Sequence, residues 1–287
     1  MRILVTGGAG FIGSHLCEEL IKNKDNEVFS LDNYSTGSEN NHIKEVVYIK
    51  GDTRDIDECI DFVPDIIYHL GEYSRTSESF NEPDKTWEYN TEGTFRVLEF
   101  CRKNKVKKLV YAGSSTKLAD GGDGRNQSPY AWTKAANTEL IQRYGEWFHI
   151  PYVIVYFYNV FGGREMETGP YATLIGIYKR LTREGKSLGV VSPGTQMRSF
   201  THVDDIVHGI ILAGEKGNGD GYCLGPKETF SIREVAEMFG GKIEMLPEKP
   251  GDRKTVAIDL TKTEEELGWK ATVSLKDHIR EFLESLK

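Results

Sequence analysis

Cysteine is scarce in this 287-residue chain, and Cys17, Cys59, Cys101 and Cys223 stand far apart with no Cys-x-x-Cys pair. That spacing speaks against a disulfide framework or a cysteine zinc site, and suits free thiols in a reducing cytoplasm. Long apolar runs are missing too. None approaches the roughly 18 residues that would span a bilayer, so no membrane partner is expected. Positive charge is short: 36 Lys and Arg face 44 Asp and Glu, a net charge of −8. No basic stripe exists to neutralise phosphates, which argues against nucleic acid as a partner. The one basic cluster, Arg102, Lys103, Lys105, Lys107 and Lys108, falls at an expected helix end, where cations favour the dipole. The sequence opens directly on a strand-like segment, so no signal peptide is expected and a cytoplasmic location is. There is no internal repeat or low-complexity linker. With 38% hydrophobic and 28% charged residues, the composition is that of a globular protein with one large or two joined domains.

Glycine is plentiful, and its placement is informative. Residues 2–13 read Arg-Ile-Leu-Val-Thr-Gly-Gly-Ala-Gly-Phe-Ile-Gly, a strand running into a glycine-rich turn that opens a helix over Phe11–Lys22. This is the context a dinucleotide fingerprint requires. Gly7 permits the tight turn, Gly10 a close backbone approach to a pyrophosphate, and Gly13 close packing of helix on strand, with Phe11 and Ile12 between. The helix N-terminus offers free N–H groups to phosphates. A second strand, Glu27–Asp32, ends in a carboxylate roughly 20 residues on, where it would hold the adenosine ribose hydroxyls and repel a 2′-phosphate. The expected cofactor is therefore NAD.

The first half alternates strands and helices, which predicts βαβ units and a parallel sheet. Strands are expected at Arg2–Thr6, Glu27–Asp32, Val46–Gly51, Asp65–Leu70, Lys108–Ser114 and Tyr152–Tyr158. Helices are expected at Phe11–Lys22, Thr86–Asn104 and Pro129–Phe148. Gly51-Asp52-Thr53 closes the third strand, where Asp52 and Thr53 would face an adenine. The pattern implies an α/β fold, a Rossmann-type doubly wound parallel sheet over residues 1–158. A smaller C-terminal lobe, mainly 159–287, would bind substrate, with segments near 190–213 returning to the first domain. A final helix over Leu275–Leu286 would bury Ile279, Phe282, Leu283 and Leu286.

Tyr130 and Lys134 lie four apart in the helix signalled by Ser128-Pro129, so they share a face. A nearby ammonium stabilises a phenolate, which equips Tyr130 to take a proton from a hydroxyl while the nicotinamide takes hydride from the same carbon. Ser114 ends a strand at the edge facing that helix, where its hydroxyl would orient the reacting oxygen.

The combination of Thr6–Gly13, Asp32, His69-Leu70, Ser114 and Tyr130-x-x-x-Lys134 resembles the extended short-chain dehydrogenase/reductases, and within them the NAD-dependent nucleotide-sugar epimerases and dehydratases. The resemblance covers nearly the whole chain. It implies NAD contacts from Leu70, Tyr130 and Lys134, and a nucleotide-diphosphate sugar as substrate. Asn159-Val-Phe-Gly-Gly-Arg164 resembles a family signature whose Asn contacts the diphosphate. Arg198-Ser-Phe-Thr-His-Val-Asp-Asp205 resembles one whose Arg binds a phosphate. Asp252 matches a position associated with the nucleotide, and Arg253 or Lys249 would add positive charge. Asp204 and Asp205 read as helix caps. The resemblance also implies a homodimer built from two helices per subunit, with Phe95, Leu98 and Trp147 compatible with such a face.

In that family the sugar C4 hydroxyl is oxidised to a ketone. An epimerase inverts C4; a 4,6-dehydratase eliminates the C6 hydroxyl and needs a further acid and base. Many dehydratases carry a carboxylate directly after the Ser114 position, where this chain has Ser115, Thr116 and Lys117, which favours epimerisation. Yet the usual His-Leu-Ala-Ala is here His69-Leu-Gly-Glu72, followed by Tyr73-Ser74-Arg75, and Glu72 or Tyr73 near the strand edge would meet the sugar as a spare acid or base. Dehydration on the same scaffold and a non-catalytic NAD-binding regulator remain the alternatives.

Overall fold

The computed structural model describes residues 1–248, 251, 254–255 and 258–287. Strands β1 (Arg2–Thr6), β2 (Glu27–Asp32), β3 (Val47–Lys50), β4 (Ile66–His69), β5 (Lys108–Ser114), β6 (Tyr152–Phe157) and β7 (Gly219–Leu224) form one sheet. Its order is β7-β6-β5-β4-β1-β2-β3, and every pairing is parallel. The central strands are apolar on both sides: β4 is buried throughout and β5 nearly so, as a sheet covered by helices on both faces requires. Helix α1 (Phe11–Leu20) and the helix Val203–Lys216 pack together on one face. Helices α2 (Gly93–Asn104) and α3 (Pro129–Phe148) pack on the other. The strand order reverses between β1 and β4, and a crevice opens at their carboxyl ends, the usual ligand site of such sheets.

The chain returns to this sheet at 203–224, later than the expected 190–213: the helix Val203–Lys216 and β7 belong to the large core. A second core gathers Phe161, Tyr178, Val190, Phe239, Leu275 and Ile279 around the parallel pair Leu188–Val191 and Ile243–Leu246. The last helix stops at Glu284. Ile279 is buried and Phe282 and Leu283 pack on the core, but Leu286 lies beyond the helix end and is exposed.

Two local departures shape the crevice. The helix expected over Thr86–Asn104 is three pieces, Pro83–Thr86, a π-helical turn at Trp87–Glu92, and α2. The extra residue of a π turn re-aims the side chains around it, and here Asn90 is turned fully inward. The helix expected to be capped by Asp204 and Asp205 begins before them, at Val203, and is capped by His202. Asp205 is not a cap: its carboxylate accepts the N–H groups of Thr272 and Val273 and the Thr272 hydroxyl, tying the C-terminal segment to the large core.

Candidate active site

The crevice holds a cavity of about 690 Å³, walled by Gly7–Gly13, the ends of β2, β4 and β5, the start of α3, and the 166–177 segment of the smaller lobe. At its adenosine end Gly7 has φ +75°, a left-handed conformation that suits glycine. A Cβ on Gly13 would stand 2.1 Å from the Gly7 carbonyl oxygen, so helix and turn touch backbone to backbone. Helix α1 starts at Gly10 without a side-chain cap, leaving its first N–H groups toward the cavity. Asp32 is buried and accepts Ala9 N–H at 2.9 Å and Tyr34 N–H at 2.8 Å. Burial raises its carboxyl above the ordinary range, against those two hydrogen bonds. Phe11, Ile12, Thr53 and Leu70 also line the cavity.

Asp52, expected to face an adenine, is not among the residues that line the cavity. It caps the turn Thr53–Asp55 and accepts from Arg54 N–H and Nε and from Asn33 Nδ2. Burial alone would raise its carboxyl, but these donors hold it below the usual range.

At the other end, Ser128 accepts Ala131 N–H and Pro129 follows, so α3 starts where Tyr130 sits in its first turn. Tyr130, Lys134, Ser114, Ser115 and Thr116 all line the cavity. Ser114 Oγ lies 2.7 Å from Thr116 Oγ1. Lys134 donates to the Ala112 carbonyl and to Glu72, and its Nζ sits 4.8 Å from the Tyr111 ring centre.

Glu72 therefore corrects the sequence reading. Its carboxylate is not left free for a sugar: Thr94 Oγ1, Asn137 Nδ2 and Tyr111 OH donate to one oxygen, and Lys134 to the other. A carboxylate this buried needs such donors. Asn137, one turn beyond Lys134, and the inward-turned Asn90 complete the bed; Asn90 also fixes the Tyr73 backbone in both directions. The network continues through His69, whose pKa burial lowers to about 4 against the pull of Glu72. Because the Thr94 hydroxyl donates to Glu72, its oxygen accepts from His69 Nε2, and His69 Nδ1 accepts from Thr6. Thr6 in turn receives Leu70 and Gly71 N–H. A continuous polar chain thus joins the end of β1 to Lys134. Sequence reading singled out Glu72 but missed Thr94, Tyr111 and Asn137, which only folding brings to it.

Asn159 and Arg198 line the smaller-lobe side of the cavity; Asn159 donates to Ser199 O at 2.8 Å and Arg198 is buried. Lys117 turns away, pairing with Asp220 and lying over the Tyr156 ring. Asp252, Arg253 and Lys249 fall outside the described residues.

A parallel doubly wound sheet with a glycine turn, a buried acid ending the second strand and a Ser–Tyr–Lys group beside the crevice defines an NAD-binding short-chain dehydrogenase/reductase of the extended type. The comparisons with known proteins agree: residues 3–225 match the model of the NAD dependent epimerase/dehydratase family, and the chain belongs to it. It is 29% identical to the UDP-glucose 4-epimerase of Mycolicibacterium smegmatis, over 99% of this chain and 98% of that protein. The Thermotoga maritima UDP-glucose 4-epimerase, solved with UDP-glucose, superposes with a TM-score of 0.89 at 26% identity over the whole of both chains. The Thermus thermophilus UDP-glucose 4-epimerase in complex with NAD gives 0.88 at 28% identity, over 100% and 99%. Decarboxylases and a 4,6-dehydratase also stand among the relatives. The chain is an NAD-dependent enzyme of the nucleotide-sugar epimerase/dehydratase family.

Proposed function

We propose that this enzyme is a nucleotide-sugar 4-epimerase working through a transient 4-keto sugar. The observation that carries the reading is the Ser114, Tyr130 and Lys134 group on one cavity wall, with no carboxylate after Ser114 and Glu72 held by buried donors. Dehydration requires an acid and base at C5 and C6, and Glu72, raised for that task, is committed elsewhere. A regulator without catalysis would have no use for a positioned phenol and ammonium.

The NAD site rests on Gly7, Gly10, Phe11, Ile12, Gly13, Asp32, Thr53 and Leu70, all of which line the cavity. Held there, NAD would supply the hydride acceptor and donor for the sugar C4. Tyr130 takes the proton of the C4 hydroxyl and gives it back after the sugar turns over. Ser114, with Thr116 beside it, orients the same oxygen. Lys134, held by Ala112 O and Glu72, keeps positive charge close to the phenol. Asn159 and Arg198 take the diphosphate, and Asp252 the nucleotide.

Among the described residues no helix is long and apolar enough to cross a membrane, and we place the enzyme in the cytoplasm. We propose a homodimer through α2, the π turn before it and α3, because Trp87 of that turn and Trp132 of α3 stack at 5.9 Å and stay half exposed, with Phe95 of α2 also exposed. The function is tested by incubating the enzyme with UDP, GDP and dTDP sugars and reading products by mass and NMR. Unchanged mass with inverted C4 supports the epimerase; loss of one water overturns it.

A further inference from the structure

Arg75, at the end of the Glu72–Arg75 departure, has no part in the steps above. It lines the same cavity as Tyr130. One terminal nitrogen donates to the Tyr171 carbonyl, while Nε is shut off from solvent with no hydrogen-bond partner. The phenols of Tyr130, Tyr171 and Tyr73 stand near it, and among the described residues no carboxylate forms an ion pair with it. Of the acids close in sequence, Glu72 is held by Lys134, Thr94, Tyr111 and Asn137, Glu78 accepts from Asn81, and Glu82 is occupied by Lys85, Tyr73 and Tyr171. A guanidinium is always charged and presents a planar fork matched to a carboxylate. Burying it with an orphaned donor is costly unless a ligand supplies the anion.

Resting on the epimerase reading, we propose that Arg75 recognises a carboxylate on the sugar itself, so that the preferred substrates are nucleotide uronates. The position of the residue selects the group. Tyr130 must reach the C4 oxygen, so an anion within the shared reach of Tyr130 and Arg75 lies a carbon or two from C4. On a hexose that is the C6 carboxylate of a uronic acid. The diphosphate is attached through C1 on the far side of the ring and has Arg198 and Asn159 on the smaller-lobe wall. A neutral hexose would place a hydroxymethyl group against the guanidinium and leave its charge without a counterion.

The test uses NAD-loaded enzyme with UDP-glucuronate and UDP-glucose, by calorimetry for affinity and by NMR for turnover. Wild type binds the uronate more tightly, and Arg75→Gln reduces that preference by about 30-fold or more, the range of a lost charge-assisted pair. Arg75→Lys keeps charge without the fork and retains part of the preference. Circular dichroism and thermal unfolding establish that both variants fold. An equal loss for both sugars in Arg75→Gln would assign the residue to Tyr130 and overturn the proposal, as would wild-type preference for the neutral sugar. Tight uronate binding without C4 inversion would sink the epimerase reading and leave this one standing. Inversion of UDP-glucose with no uronate preference would do the reverse.

Discussion

The Glu72 carboxylate and the Lys134 ammonium form an ion pair whose side chains are only 2% and 6% exposed, directly beneath the tyrosine one helical turn away. Breaking a buried pair strands a charge, at about 3–5 kcal/mol. Glu72→Ala is therefore expected to lose stability of that order in urea unfolding. Glu72→Gln, which keeps an oxygen for Thr94, Tyr111 and Asn137, should lose clearly less. Equal, small losses in both would show that the pair contributes little.

Tyr130→Phe removes the hydroxyl that exchanges the C4 proton. Turnover should fall by about 10²–10⁴-fold, the usual worth of a positioned acid–base group. NAD affinity should change little, since the glycine turn and Asp32 lie elsewhere. Undiminished turnover of every nucleotide sugar would remove Tyr130 from the mechanism.

Asp32→Ala takes away both a ribose acceptor and the anchor of Ala9 and Tyr34 N–H. Hydrogen bonds to a charged group contribute about 1.5–3 kcal/mol, so NAD should bind some ~10–150-fold more weakly in calorimetry. Discrimination against NADP should shrink with it; an unaltered NAD/NADP ratio would contradict the assigned role.

Acidification should destabilise the fold through His69 and His278, both lowered by burial to about 4 from an ordinary value of 6.5. Each is neutral in the folded protein and protonated in the unfolded chain between those values. Their stabilising effect is whole above about pH 6.5 and is lost as pH falls toward 4, with a slope of up to ~1.4 kcal/mol per pH unit each. Urea midpoints measured from pH 7 to 5 should fall, and fall less steeply in His278→Gln.

Replacing Trp87 and Trp132 together by Lys should shift the protein to monomers in sedimentation velocity, since two charges would enter the apolar contact. A wild type that is already monomeric at high concentration would rule the dimer out.

Much of this was legible in the chain. β1, β2, β5 and α3 run where the apolar periodicity and the Ser128-Pro129 signal put them, because those segments are decided by local pattern and capping. Gly7, Asp32 and Ser114 meet around one cavity because each stands at or just after a strand end and a parallel sheet aligns those ends, while Tyr130 and Lys134 reach it from the first turns of α3. The π turn at Trp87–Glu92 was not legible, since its extra residue serves a tertiary demand, the placement of Asn90 against Tyr73 and Thr133. Asp52 shows the opposite failure: a residue in a plausible place, taken by a neighbouring Arg54 that local reading ignored.

What the sequence determined by itself was the class of fold, the cofactor and the grouping of Ser114, Tyr130 and Lys134 on one cavity, all encoded in short motifs whose geometry follows from backbone and period. Tertiary structure decided the rest. It showed Glu72 enclosed by Thr94, Tyr111, Lys134 and Asn137 from three separate elements, and Arg75 left facing the cavity without an anion. The physical reason is that a buried charge takes its meaning from its partners, and these partners lie 22 to 65 positions away along the chain.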